Sequence, residues 1–146
     1  MIRLNCFLIA EYATLSPDSK LVIAGTFDSL EVQRKSPPPE NSVLLVPFPR
    51  ATIAIVTEAS LADGLAHKMR LRIIDGNGKA IVEDLIMEMA YTLNQFGRPL
   101  RNNMLVNIQG LQLPGPDDYV FELFVDDNPK PLGEFAFFVT ESVSPS

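Results

Sequence analysis

Leu71-Arg72-Ile73-Ile74-Asp75-Gly76-Asn77-Gly78-Lys79 reads as the end of one strand, a tight turn and the start of the next. Phe121-Glu122-Leu123-Phe124-Val125-Asp126-Asp127-Asn128-Pro129-Lys130 repeats that order of events: an apolar run, an aspartate, turn-forming residues and a lysine. Glycine and asparagine supply the positive φ that a tight hairpin demands. Two such signatures in one chain predict antiparallel strand pairing and an all-β fold.

Working outward from the first turn, residues 67–75 place Met69, Leu71 and Ile73 on one face and Lys68, Arg70 and Arg72 on the other. That is the two-residue period of a half-buried strand, with the cations on a solvated face. Residues 79–89 read as its return strand. At the amino terminus, residues 4–12 and 21–27 flank the turn formers Pro17, Asp18 and Ser19, and predict an opening hairpin. Between residues 31 and 42 the pattern vanishes. Pro37, Pro38 and Pro39 predict a stiff, extended connector without ladder hydrogen bonds.

Residues 43–46 read as a short strand, and residues 51–57 alternate around Ile53 and Ile55. Residues 58–66 suit a loop or a single helical turn, because the segment is short and contains Gly64. Residues 91–103 read as a crossover between two sheets, and residues 104–111 resume the strand pattern. Residues 119–125 and 133–139 form the last hairpin, and residues 140–146 are a polar, frayed tail. About eight strands (seven to nine) with no long helical period predict one antiparallel β-sandwich domain over residues 1–146, immunoglobulin-like in architecture.

The segments Ser19-Lys20-Leu21-Val22-Ile23-Ala24-Gly25-Thr26-Phe27, Arg70-Leu71-Arg72-Ile73-Ile74-Asp75-Gly76-Asn77-Gly78 and Gly110-Leu111-Gln112-Leu113-Pro114-Gly115-Pro116-Asp117-Asp118-Tyr119-Val120-Phe121-Glu122-Leu123 together resemble a family of small bacterial proteins known only as a domain of unknown function. The resemblance covers about residues 4–139. It implies an immunoglobulin-like sandwich and transfers no catalytic residue.

Composition excludes several classes of function. Eighteen acidic against twelve basic residues give a net charge of −6, which makes a nucleic-acid backbone an unfavourable partner. The single cysteine, Cys6, excludes an internal disulfide framework and sits in an apolar run as a small core residue. The run from Cys6 to Ala10 is shorter than the roughly 7 to 15 residues of an export signal, and no run reaches the roughly 18 needed to span a bilayer. A cytoplasmic protein without membrane attachment is the expectation.

Catalytic chemistry finds little to use. The one histidine, His67, lies far in sequence from Cys6, and no Gly-x-Ser-x-Gly turn is present. It reads as a strand-edge or surface residue. Two candidate ligands in all, Cys6 and His67, cannot fill a tetrahedral zinc site. Gly76-Asn77-Gly78 lies between strands with no helix behind it, so it is no phosphate cradle. Glu83, Asp84 and Glu88 show no spacing that selects an acid and base pair. No enzyme and no cofactor is expected.

Calcium is the leading metal hypothesis, since Asp75, Asp117 and Asp118 sit in turns and offer the oxygen ligands a hard cation prefers. If every strand reverses, the turns at residues 76 and 117 share one end of the molecule, and the turn at 127 lies at the other. Against this, aspartates form turns for their own sake. Carbohydrate is the other ligand such a turn end could take, although no tryptophan and only three tyrosines supply a stacking platform.

The stronger signal is an apolar excess. In the last hairpin Tyr119, Phe121, Leu123 and Val125 face inward with Phe135, Phe137 and Val139, yet Val120, Phe124, Ala136 and Phe138 occupy the opposite face. A sheet face in water is ordinarily polar. At about 25 cal/mol per Å², such a surface is worth several kcal/mol when covered. The cover expected is a loop, the crossover or another protein, and the function expected is a non-catalytic protein-interaction or assembly module, including a homo-oligomer.

Overall fold

The computed structural model describes residues 1–18, 20–34, 45–94 and 97–143. The chain is all-β. In order it forms β1 (Arg3–Leu15), β2 (Leu21–Thr26), β3 (Ser29–Arg34), β4 (Val46–Pro47), β5 (Ala51–Ala59), a single 3₁₀ turn at Leu61–Asp63, β6 (Ala66–Ile74), β7 (Leu85–Ala90), β8 (Leu100–Ile108), β9 (Gln112–Leu113), β10 (Asp117–Val125) and β11 (Gly133–Val143). A four-stranded sheet has the order β2-β1-β5-β8, a five-stranded sheet β3-β11-β10-β6-β7, and β4 pairs with β9.

Both hairpins that decide the fold are present. β6 runs antiparallel to β7, and β10 to β11. At the first turn Asp75 takes the structural part: its Oδ1 accepts from the backbone N–H of Asn77 and Lys79, each at 2.9 Å. Only Gly78 there has a positive φ, +81°. The asparagine therefore serves the turn without the left-handed conformation expected of it.

Several expectations need correction. The five-stranded sheet is mixed rather than antiparallel, because β3 lies parallel to β11, with Phe138 opposite Ser29 and Val143 opposite Arg34, while the four-stranded sheet is antiparallel as expected. Residues 31–34 consequently belong to a strand, not to the proline-rich connector: Leu30 and Val32 alternate inward beside β11. The same ladder orders residues 140–143, which were expected to fray. Pro37 to Pro39 and residues 144–146 lie outside the described residues.

The return strand after the Asp75 turn starts at Leu85 rather than at residue 79. Residues 79–84 form a loop held by the Ile74–Ala80 bridge and by the Ile81 N–H donating to the Ile73 carbonyl. The crossover from one large sheet to the other does exist, but β8 already begins at Leu100. Eleven strands among the described residues exceed the expected seven to nine, in part because β4 and β9 are two residues each.

Side chains from both large sheets meet in one core that includes Ile9, Ile53, Ile55, Met69, Leu71, Phe121, Leu123 and Phe137. Phe135 links the layers, stacking on Phe121 at 4.8 Å and meeting Phe7 of β1 edge-on at 4.6 Å. Such aromatic pairs are worth about 0.5 to 1.5 kcal/mol beyond their buried area. β5 is buried on both faces for most of its length. Ile53 and Ile55 point into the core, while Ala54 lies between Leu8 and Leu105 on the opposite face.

Candidate functional site

The outer face of the five-stranded sheet carries Val120 and Phe124 on β10 and Ala136 and Phe138 on β11, as the alternation predicts. Val120 stands opposite Ala136, and Asp118 opposite Phe138. The four residues are not equally accessible. Phe138 keeps 40% of its surface exposed and Ala136 is exposed, whereas Val120 is half-buried and Phe124 is only 4% exposed.

Phe124 is covered from the neighbouring strand. Arg70 stands directly across the ladder from it, and the Arg70 guanidinium carbon lies 4.4 Å from the ring centroid. Arg72 approaches the same ring at 5.4 Å. Asp84 holds both cations: Arg72 donates through Nε to Oδ1 at 3.2 Å and through Nη2 to Oδ2 at 3.1 Å, and Arg70 Nη1 donates to Oδ2 at 3.4 Å. The two arginines read from sequence as a solvated face thus spread over a phenylalanine, an arrangement in which the ring quadrupole attracts the charge. Asp84 anchors that cover.

Exposed apolar surface continues on the edge strand β7. Ile86 stands opposite Arg70 and is 64% exposed, and Leu85 beside it is 46% exposed. The sequence does not mark these two, because the pattern over residues 79–89 shows no break where the edge strand begins at Leu85. At the other margin, Phe138 and Ala136 border a groove of about 560 Å³ that also includes Phe7, Leu8, Thr26 and Asp28.

The turn end at Asp75 behaves differently. The turns at 76 and 117 do share an end, since the Gly76 N–H donates to Asp117 Oδ2 at 3.2 Å. Asp117 Oδ1 accepts the Asp118 N–H at 2.7 Å, and Asp75 Oδ1 is engaged twice within its own turn. These oxygens satisfy backbone donors. Among the described residues no group of three or more Asp, Glu, His or Cys side chains is placed to hold a metal ion.

His67 has partners that the sequence did not reveal. Its Nδ1 lies 2.8 Å from Asp126 Oδ2 and its Nε2 3.0 Å from the Gly64 carbonyl oxygen. With both ring nitrogens engaged, the imidazole has none left to activate a nucleophile. Cys6 sits in β1, partly buried, and burial pushes its thiol pKa up despite the opposing pull of Arg101. A raised thiol is a poor nucleophile at neutral pH.

The geometry defines an all-β protein with a partly covered apolar sheet face and with turn aspartates engaged by their own backbone. A family model described as a family of unknown function, DUF6941, matches residues 5–139. The chain belongs to that family. No curated protein sequence matches it. No helix among the described residues is long and apolar enough to cross a membrane.

Proposed function

We propose that the protein is a non-catalytic protein-interaction or assembly module whose contact surface is the outer face of the five-stranded sheet, with a second copy of the chain as the first partner to test. The observation that carries this is apolar surface left open at two places on that face: Phe138, 40% exposed and level with Asp118, and Ile86, 64% exposed and level with the arginine-covered Phe124, with Glu122 and Glu134 on a rung between. An exposed aliphatic residue beside a cation–π cluster, with an exposed aromatic further along the same face, matches the enrichment of phenylalanine and arginine at interface centres. An edge strand with apolar residues such as Leu85 adds a place for strand pairing.

The finer fold reading is part of the same proposal. An immunoglobulin-like sandwich is supported by the hydroxyl of Tyr119, near the start of β10, donating to the carbonyl of Gly115 four residues upstream. This bond resembles the tyrosine corner of such sandwiches. The parallel β3 at the edge beside β11 is compatible with it. A cytoplasmic, reducing setting is proposed on the strength of the single, partly buried Cys6.

Light scattering over a concentration series tests the interface. One chain weighs 16.1 kDa, and the wild type is expected to exceed that mass as concentration rises. Phe138→Ser combined with Ile86→Ser is expected to return it to a single chain with an unchanged thermal midpoint. A wild type that stays at one chain mass at every concentration removes self-association from the proposal.

A further inference from the structure

His67 is held between two acceptors. Asp126 Oδ2 faces Nδ1 at 2.8 Å, and the Gly64 carbonyl faces Nε2 at 3.0 Å. A carbonyl oxygen can only accept. Asp126 is an acceptor too, because the His67 hydrogen bond and the Lys68 N–H, which donates to Oδ1 at 3.0 Å, hold its carboxyl below the ordinary aspartate range. A neutral imidazole has one N–H, so it can serve only one of these partners while the other meets a ring lone pair. Only the imidazolium satisfies both.

The two acceptors belong to separate parts of the fold. Gly64 lies in the connection from β5 to β6, just after the 3₁₀ turn, and Asp126 opens the turn between β10 and β11 with the left-handed φ of 52°. From these contacts we propose that His67 is a proton-operated latch: charged, it ties the β5–β6 connection to the β10–β11 turn; on losing its proton, it releases one of them. The latch does not depend on the interface reading above.

The surroundings favour the charged ring on balance. Burial pushes its pKa down, and this is outweighed by the Asp126 hydrogen bond, the Gly64 carbonyl and the nearby charges of Asp126 and Asp63, so the net direction is up. Asp63, on the 3₁₀ turn, is itself occupied by the Met1 amine and by the Ser60 backbone. Asp127 follows Asp126 in the turn, and Lys130 lines the same small cleft as His67. Lys68 stands opposite Glu88 of β7, and the Tyr91 ring meets the imidazole edge-on at 5.9 Å.

For a histidine with a raised folded-state pKa, the stabilisation is complete below the ordinary value of 6.5 and disappears as pH rises through the folded value. His67 is the only histidine, so its ring signals in an NMR titration are unambiguous. The expected midpoint lies above 6.5, and Asp126→Asn moves it down. As the ring neutralises, the side it releases is expected to lose protection against hydrogen exchange relative to intrinsic rates: the amides of Lys68 and Asp126 for the β10–β11 turn, or those of Gly64 and Tyr91 for the β5–β6 connection. A midpoint at or below 6.5 in the wild type, a midpoint indifferent to Asp126→Asn, or protection unchanged across the titration would each overturn the latch.

Discussion

Arg70 and Phe124 stand directly opposite one another on adjacent strands, with the guanidinium carbon 4.4 Å from the ring centroid. This contact separates two residues that alternation alone makes equivalent. Phe124 is stabilised within its own molecule, and Phe138, on the next strand and the same face, is left partly open to solvent.

The two phenylalanines should therefore respond differently to truncation. Phe124→Ala is expected to cost about 3 kcal/mol, as large-to-small changes at buried sites do, and to lower the denaturation midpoint. Phe138→Ser is expected to change stability by less than about 1 kcal/mol and to act on association instead. Denaturant melts paired with light scattering distinguish the two.

Asp84 holds the arginine cover in place from a partly exposed position. Asp84→Asn is expected to cost about 0.5 to 1 kcal/mol at low salt, less at molar salt where the ion pairs are screened. Urea melts at two ionic strengths measure this. An effect that grows with salt contradicts the role assigned to Asp84.

Tyr119 is fully buried at its ring, and burial raises the hydroxyl pKa, against the lowering effect of its bond to the Gly115 carbonyl. Tyr119→Phe removes that donor and leaves the carbonyl unsatisfied. The expected loss is about 1 to 2 kcal/mol with the fold retained, measured by urea denaturation.

β11 approaches β1 closely at Gly133, where an added methyl would overlap the Leu4 Cδ2. Gly133→Ala is expected to destabilise by about 1 to 3 kcal/mol through overpacking. Because the obstacle is the end of a side chain, Leu4→Ala in the same molecule should make the combined cost smaller than the sum of the two, which a double-mutant cycle reads directly.

Much of the fold was legible in the sequence where apolar alternation and turn chemistry agree, as at Met69, Leu71 and Ile73 leading into Asp75. The parallel partner of β11 was not. Leu30 and Val32 give only two inward positions before the pattern ends, and nothing local encodes which distant strand they meet. The apolar outer face was readable from Phe124 and Phe138, but its cover was not. Arginines at a two-residue period look solvated, and only the ladder register places Arg70 across from Phe124. The His67 partners were hidden for the same reason, since Asp126 is 59 residues away in sequence.

Calcium at millimolar concentration is expected to leave the thermal transition unmoved, because a ligand raises it only by binding the folded state, and the Asp75 and Asp117 oxygens already serve backbone donors. A rise reversed by chelator would restore the metal reading of Asp75, Asp117 and Asp118.

The most direct test of the interface is an amide NMR dilution series. Concentration-dependent shifts are predicted to cluster on the outer face of the five-stranded sheet, at Ala136, Phe138 and Ile86. Spectra that do not change on dilution, or shifts confined to the four-stranded sheet, would contradict it.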